Sequence, residues 1–393
     1  MARVTGRLVQ GLRDAREPLL VFLVTRGALF LLAHLSLAVL PLNPDLSVAS
    51  PGGSPWRGFP DNLWLDGWTR WDAGWYRHIA THGYVEQPVG PPGQRNLAFY
   101  PAYPLAMRLV SLLGLDPLAA GILVSNLAFL VALVLVHRMA SARFGPDAAF
   151  RCVVLLSIFP YAFFFSAAYS ESLFVLLAVS SLYLGERGRW AAASICALLC
   201  GATRAPGVAL GPALLLLYLE RLRYDVRKLR PDVLWIGLSG LGPFVYYAYL
   251  GLAFGDPWLA FKATRVAGWW QAGFTLKPVE RALRSMRSLE NLRTGQVPWV
   301  FNLNILAAAL CLGSLVPVFR RQPLAWGVFS LLIVAAGVLQ PGGWGRYVLP
   351  AFPVFLAWAL GLESRLWFTG AVVLSSLLLA LLTILFTHWY WVA

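Results

Sequence analysis

Long apolar runs fill this chain, separated by polar connections of very uneven length. The runs near residues 18–40, 117–136, 232–253, 300–318, 323–339 and 367–390 reach or approach the roughly 20 apolar residues needed to cross hydrocarbon. Those near 147–165, 171–185, 190–203, 206–219 and 345–362 are shorter or interrupted by Gly and Pro. Together they predict about eleven transmembrane helices. The alternating period of a membrane barrel is missing from these runs. The expected class is therefore all-α: a polytopic membrane protein forming a single bundle over residues 1–393. Residues 101–114 are too short to span and are expected to form an interfacial or re-entrant helix.

Charge orients the bundle. Arg3, Arg7, Arg13 and Arg16 place residues 1–17 in the cytoplasm. The first apolar run lacks a small-residue cleavage site close behind it, so it is expected to be a retained span. The short connections with Arg138 and Arg143, Arg187 and Arg189, residues 220–230, Arg320 and Arg321, and Arg365 then fall on the cytoplasmic side. Two long connections, 41–116 and 254–299, fall outside, and the odd count puts the C-terminus outside. Arg204 is the exception, an arginine in an outer turn.

Composition narrows the function classes. The chain is 59% hydrophobic and 13% charged, against about 25% charged in soluble domains. Its net charge of +14 is mostly accounted for by positive-inside loops, the remainder being available to anionic lipid heads or an anionic substrate. Nucleic acid is not an expected partner: the basic residues are scattered and no binding motif is present. Cys152, Cys196, Cys200 and Cys311 all lie in apolar runs and read as small core residues. Cys196 and Cys200 lack the further ligands that zinc requires.

The chemistry concentrates in the first long connection, at Trp68-Thr69-Arg70-Trp71-Asp72-Ala73-Gly74-Trp75-Tyr76-Arg77-His78-Ile79. At helical spacing Asp72 shares a side with Trp68, Trp75, Tyr76 and Ile79. A carboxylate among interfacial rings suits chemistry on a lipid-linked substrate, and partial burial lifts it toward general-base duty. Asp66 reads better as a helix cap. The outer face also receives Asp61, His78, His82, Glu171, Arg204, Arg346, Lys262, Arg265 and Lys277. Arg204, followed by Pro206-Gly207, and Arg346, after Pro341-Gly-Gly-Trp-Gly345, sit at backbone breaks. Each either snorkels to lipid phosphate or clamps a substrate phosphate. Glu171 is either a first-turn carboxylate favoured by the helix dipole or an orienting group. His78 is either a phosphate donor or a surface histidine.

Absences constrain the mechanism. There is no GxxxxGK[ST] loop, no HExxH helix and no Asp-x-Asp pair. No ATP motor, resident metal or other cofactor is expected.

Taken in order, the motifs resemble those of the PIG-V family, the GPI mannosyltransferase 2-like enzymes. Arg70-Trp71-Asp72…Trp75-Tyr76…Ile79-Ala80…His82-Gly83-Tyr84 is similar to the family's first-loop signature. Phe99-Tyr100-Pro101-Ala-Tyr103-Pro104 is similar to its Phe-Pro-x-Tyr-Pro segment, with Tyr100 replacing the usual Phe. Phe164-Phe-Ser-Ala-Ala-Tyr169-Ser-Glu171, Ala202-Thr-Arg204-Ala-Pro-Gly207 and Arg346-Tyr-Val-Leu-Pro350 follow the later blocks.

The resemblance implies a GT-C-type bundle and an inverting transferase. It would move mannose from polyprenyl-phosphate mannose to a hydroxyl of a glycolipid, glycan or protein, giving an α-mannoside on the extracytoplasmic face. It makes Asp72 the catalytic residue. Arg204, Arg346, Glu171, His78, Trp71, Tyr76 and Tyr169 become the substrate-binding set. No metal or cofactor is implied beyond the lipid-linked donor; the lipid bilayer is the other partner. The Arg-rich, Lys-poor chain without an ER-retention signal points to a bacterial plasma membrane; a eukaryotic member would sit in the endoplasmic reticulum. Two alternatives stand beside this reading. One is a flippase or transporter with the same charged groups, and the other is a GT-C enzyme using glucose or arabinose.

Overall fold

A computed structural model describes residues 2–44, 56–89, 93–265, 280, 299–340 and 343–392, with side chains from Ala15 onward except at 299 and 301. Every regular element among the described residues is a helix. The chain runs through α1 (Ala2–Val39), α2 (Leu63–Asp66), α3 (Asp72–His82), α4 (Ala102–Ser111), α5 (Pro117–Phe144) and α6 (Pro146–Ile158). It continues through α7 (Glu171–Glu186), α8 (Trp190–Thr203), α9 (Leu210–Arg221), α10 (Leu241–Phe254) and α11 (Leu259–Ala263). The last third holds α12 (Trp299–Arg321), α13 (Leu324–Val338), α14 (Trp344–Tyr347), α15 (Phe352–Gly361) and α16 (Arg365–Thr387).

Local chemistry sets several boundaries. Asp116 caps α5 by accepting from the Leu118 amide at 2.8 Å, and Pro117 supplies the first helical residue. Gly145, at φ 85°, ends α5, and Pro146 starts α6 at once, so the two helices fold back on each other.

The expected all-helical membrane bundle is found, but length alone does not reproduce the count of eleven. Among the described residues, five segments are long and apolar enough to cross: 15–39, 117–144, 231–254, 302–321 and 365–387. The helices α6, α7, α8, α9, α13 and α15 have 13, 16, 14, 12, 15 and 10 residues. At 1.5 Å per residue none matches the roughly 30 Å of hydrocarbon. These short helices pack inside the bundle, α7 between α5 and α8, α6 against α15 and α5.

Their breaks are the main departure from the sequence-based expectation. The connection at residues 166–171, expected on the outer side, is longer and more enclosed than a surface turn: residues 158–170 and Glu171 and Ser172 after them are all buried within the protein. Non-helical backbone buried in this way is tolerated only where protein groups satisfy its peptides. Here they do. Arg26, from the middle of α1, donates to the Ser157 and Ala162 carbonyls at 2.6 and 2.9 Å. Asn126 donates to Ser166 O, Ser125 to Tyr169 O and Ser172 to Phe165 O. The Ala168 amide reaches Trp68 O in the first long connection. Arg26 thus places its charge at the carbonyl end of α6, where the helix dipole favours a cation.

Close backbone approach joins α8 to the first turn of α10 and to the turn that leads into α9. A Cβ at Gly242 would collide with the Leu198 carbonyl oxygen, and one at Gly207 with the Gly201 amide nitrogen. Small residues at such crossings are how membrane helices gain packing. Gly242→Ala is expected to force the two elements apart and to cost about 1–3 kcal/mol, read as a lower melting temperature in detergent. Gly237→Ala, where a Cβ meets nothing within 4 Å, should melt like the parent.

Candidate active site

Four charges from four distant stretches meet in one buried cluster. Asp72 opens α3, Glu171 opens α7, Arg204 follows the end of α8, and Arg346 lies in the one-turn α14. Arg346 Nη1 donates to Asp72 Oδ2 at 2.7 Å, and its Nε donates to Glu171 Oε1. Arg204 Nη1 donates to that same Glu171 oxygen. Glu171 is wholly buried and both Asp72 and Arg346 are nearly so. The Arg346 guanidinium lies over two adjacent rings, 4.6 Å from the Tyr169 centroid and 4.9 Å from that of Phe164. Arg204 lies 4.9 Å from the Tyr347 ring.

Each charge is held by backbone its sequence dictates. Trp71 takes φ 53°, a left-handed value uncommon for a bulky side chain, and this bend starts α3 at Asp72. The Tyr169 hydroxyl secures the bend: it donates to Arg70 O at 3.0 Å and accepts from the Asp72 amide at 3.1 Å. Tyr76, one turn along α3, donates to Ser170 Oγ at 2.9 Å. Arg346 is placed by Gly345, whose amide donates to Asn304 Oδ1 at 2.9 Å. A Cβ on Gly345 would run into the Tyr161 ring, so glycine lets the turn lie against that ring.

A second ion-pair set anchors the loop. Arg70 Nη2 donates to Asp66 Oδ2 at 2.6 Å, Arg57 Nε to the same oxygen at 3.0 Å, and Arg70 Nε to the Thr387 carbonyl at the end of α16. The expectation that Asp66 caps a helix is corrected: it ends α2 and is a buried counter-ion. Burial alone would raise its carboxyl, but the hydrogen bond and charge of Arg70 outweigh that and hold it below the ordinary value. Asp72 balances the other way. Burial pushes its carboxyl above the ordinary value, and the charge of Arg346 opposes the rise without cancelling it.

The structure therefore brings Asp72, Glu171, Arg204, Arg346, Tyr169 and Tyr76 together. It does not bring the whole sequence-selected set. Trp68 is not on the Asp72 helix face, because the Trp71 bend separates them; its ring packs on Phe30, centroids 4.7 Å apart. Trp71 turns its ring to Trp389 and Trp391, 5.4 and 5.0 Å away. His78 lies six residues along α3 from Asp72, about 9 Å, stacked on His82 at 4.8 Å with Nδ1 3.1 Å from Asn96 Nδ2. Burial and the nearby His82 lower its pKa. Lys262 pairs with Asp256, and Lys277 lies outside the described residues. Sequence reasoning missed Arg26, Asn304, Phe164 and Tyr347. A charged or amide side chain inside an apolar run was the available signal for the first two.

The sequence profile of the mannosyltransferase (PIG-V) family matches residues 19–232, more than half of the 393-residue chain. Human GPI alpha-1,6-mannosyltransferase 2 is 33% identical over 190 residues, covering 44% of this chain and 37% of the human protein. Its counterpart in Cricetulus griseus is 36% identical over 149 residues, 35% of this chain and 29% of that protein. The matched stretch thus spans little more than a third of these relatives at most. Among solved structures, ArnT from Cupriavidus metallidurans in the apo state superposes with a TM-score of 0.51 at 15% identity, over 94% of this chain and 62% of ArnT. ArnT bound to undecaprenyl phosphate gives a TM-score of 0.50 over the same shares. At that identity the likeness is one of fold, that of the GT-C membrane glycosyltransferases. The profile match runs through Asp72, Glu171 and Arg204, three of the four clustered charges, and on its extent the chain belongs to the mannosyltransferase (PIG-V) family.

Proposed function

We propose that the protein transfers mannose from polyprenyl-phosphate mannose to an acceptor hydroxyl at the extracytoplasmic membrane surface, with inversion, and that Asp72 is the general base. The observation that carries this reading is the meeting of Asp72 with Arg346, Glu171 and Arg204. Family membership supports mannose, and the fold shared with a protein crystallised with undecaprenyl phosphate supports a polyprenyl carrier. Asp72 lies on α3, in the connection between the two span-length segments 15–39 and 117–144. That position favours an enzyme over a carrier, whose ionisable groups belong near the midplane.

The steps balance as a single displacement. The acceptor oxygen attacks the anomeric carbon as its proton passes to Asp72. The bond from that carbon to the phosphate oxygen breaks, and the electron pair leaves with the polyprenyl phosphate. Arg204 and Arg346 stabilise the charge gathering on the phosphate. With two carboxylates and two guanidiniums, the cluster is formally neutral. The donor phosphate therefore competes with Asp72 for Arg346, and in doing so releases the base. Glu171 keeps both guanidiniums in place during the exchange. Tyr169 and Tyr76 fix α3, so that the carboxylate stays aligned.

Asp72→Asn is expected to leave the fold intact and lower kcat by about 10² to 10⁴, measured as transfer of labelled mannose from a synthetic polyprenyl-phosphate donor. Turnover near that of the parent removes Asp72 from the chemistry. The pH profile has a fixed sign. Because its carboxyl is raised, Asp72 becomes a carboxylate only above a pH higher than the ordinary value of about 3.9. The rate should fall as pH drops through that raised value, and the Asp72→Asn variant should lack this acidic limb. Glu171→Gln leaves two guanidiniums without their shared counter-ion. It should lower stability by about 3–5 kcal/mol, read by thermal unfolding in detergent. Arg204→Ala should raise the apparent KM for donor more than for acceptor when each is titrated separately.

A further inference from the structure

The end of α7 remote from Glu171 carries a second charged site. The helix has 16 residues, about 24 Å at 1.5 Å per residue. In and beside the turn beyond it, a cavity of about 360 Å³ opens among Gly188, Arg189, Trp190, Asp232 and Trp235.

The sequence accounts for its walls. Gly188 takes φ +70°, which favours glycine, and the Arg221 guanidinium lies against this turn, its Nη1 2.5 Å from where a Cβ would sit. Trp190 packs on Tyr218, centroids 4.8 Å apart. The Tyr218 hydroxyl donates to Asp232 Oδ1 at 2.6 Å and accepts from the Arg230 amide at 3.2 Å, which fixes Asp232 in the wall. Arg189 and Arg221 are exposed and make no ion pair among the described residues. Trp235 in the wall is 47% exposed, and Leu234 and Leu229, near Asp232 in the chain, are exposed by 77% and 46%. In a membrane-spanning chain, such a rim with indoles and arginines belongs at a lipid head-group level.

The chemistry of the walls is mixed rather than simply cationic. A site for a bare anion gains nothing from Asp232. Two unpaired guanidiniums suit a phosphate ester. A carboxylate and two indoles lining one cavity suit an ammonium group, through charge and the ring faces. We infer that this cavity binds a phospholipid head group of the phosphoethanolamine type, in the leaflet opposite the four-charge cluster. Arg189 and Arg221 take the phosphate, and Asp232 with Trp190 and Trp235 takes the ammonium. The exposed apolar rim assigns the head group to a lipid rather than to a free phosphate ester. The inference is independent of the transfer reaction.

Native mass spectrometry of the full chain, stripped of lipid and titrated with phosphatidylethanolamine or phosphatidylglycerol, tests it. The parent should bind phosphatidylethanolamine at least about tenfold more tightly. Asp232→Asn, which keeps an acceptor for Tyr218, should abolish that preference. The double variant Arg189→Gln/Arg221→Gln should weaken both lipids about tenfold. Soluble glycerophosphoethanolamine should not compete even in large excess. Equal binding of the two lipids by the parent overturns the inference, as does retention of the preference in Asp232→Asn. Competition by the soluble head group at the lipid's own concentration overturns the lipid assignment. The first comparison needs no variant, so misfolding of a mutant cannot shelter the idea.

Discussion

One oxygen, Glu171 Oε1, accepts from both Arg346 and Arg204, and the rest of the cluster follows from that sharing. Two guanidiniums held by one carboxylate cannot separate far, so α14 and the end of α8 are tied to the start of α7. Burying three such charges costs several kcal/mol per ion unless geometry and hydrogen bonding compensate. Compensation here comes from close pairing, from the Asp72 contact, and from rings stacked on Arg346. The arrangement stabilises the fold weakly for its cost. Its stronger effect is to gather two cations beside Asp72, a carboxyl whose pKa burial has raised.

The buried crossover between α6 and α7 makes this possible. A regular span there would have placed Glu171 on a helix side, with Tyr169 and Ser170 at unrelated angles. The 3₁₀ turn and the bends after it deliver Phe164, Tyr169 and Glu171 to one point. The backbone groups exposed by that irregularity are met by Arg26, Asn126, Ser125 and Ser172, polar residues inside otherwise apolar helices. Polar side chains in this bundle thus fall into two duties, one lining the charged site and one supporting the peptides that shape it.

Much of this was legible in the sequence. The apolar runs disclosed a helical membrane protein. Arginines at backbone breaks and an aspartate among aromatics marked three of the four clustered charges, and Glu171 stood out as an acid at a helix start. What was not legible follows from depth and from bends. Hydropathy places Ser166–Glu171 at a surface because it is polar, yet protein groups satisfy those polar atoms internally. Helical periodicity puts Trp68 beside Asp72, yet one left-handed residue, Trp71, breaks the period. Sequence proximity also groups His78 with Asp72, whereas the helix carries it to a separate pair with His82 and Asn96. Arg26 reads in sequence only as an interruption in a span, because its carbonyl partners lie more than a hundred positions away.

The order in which the chain emerges during synthesis gives the Glu171 hub another meaning. Arg204 follows Glu171 by 33 positions, whereas Arg346 follows it by 175, and the Thr387 carbonyl that holds Arg70 comes later still. A nascent chain that has inserted only as far as α9 carries Asp72 without its cation and Glu171 with one of its two. The charged centre is completed only when the last third of the bundle docks. Until then the half-made bundle carries acids whose partners have not yet been synthesised.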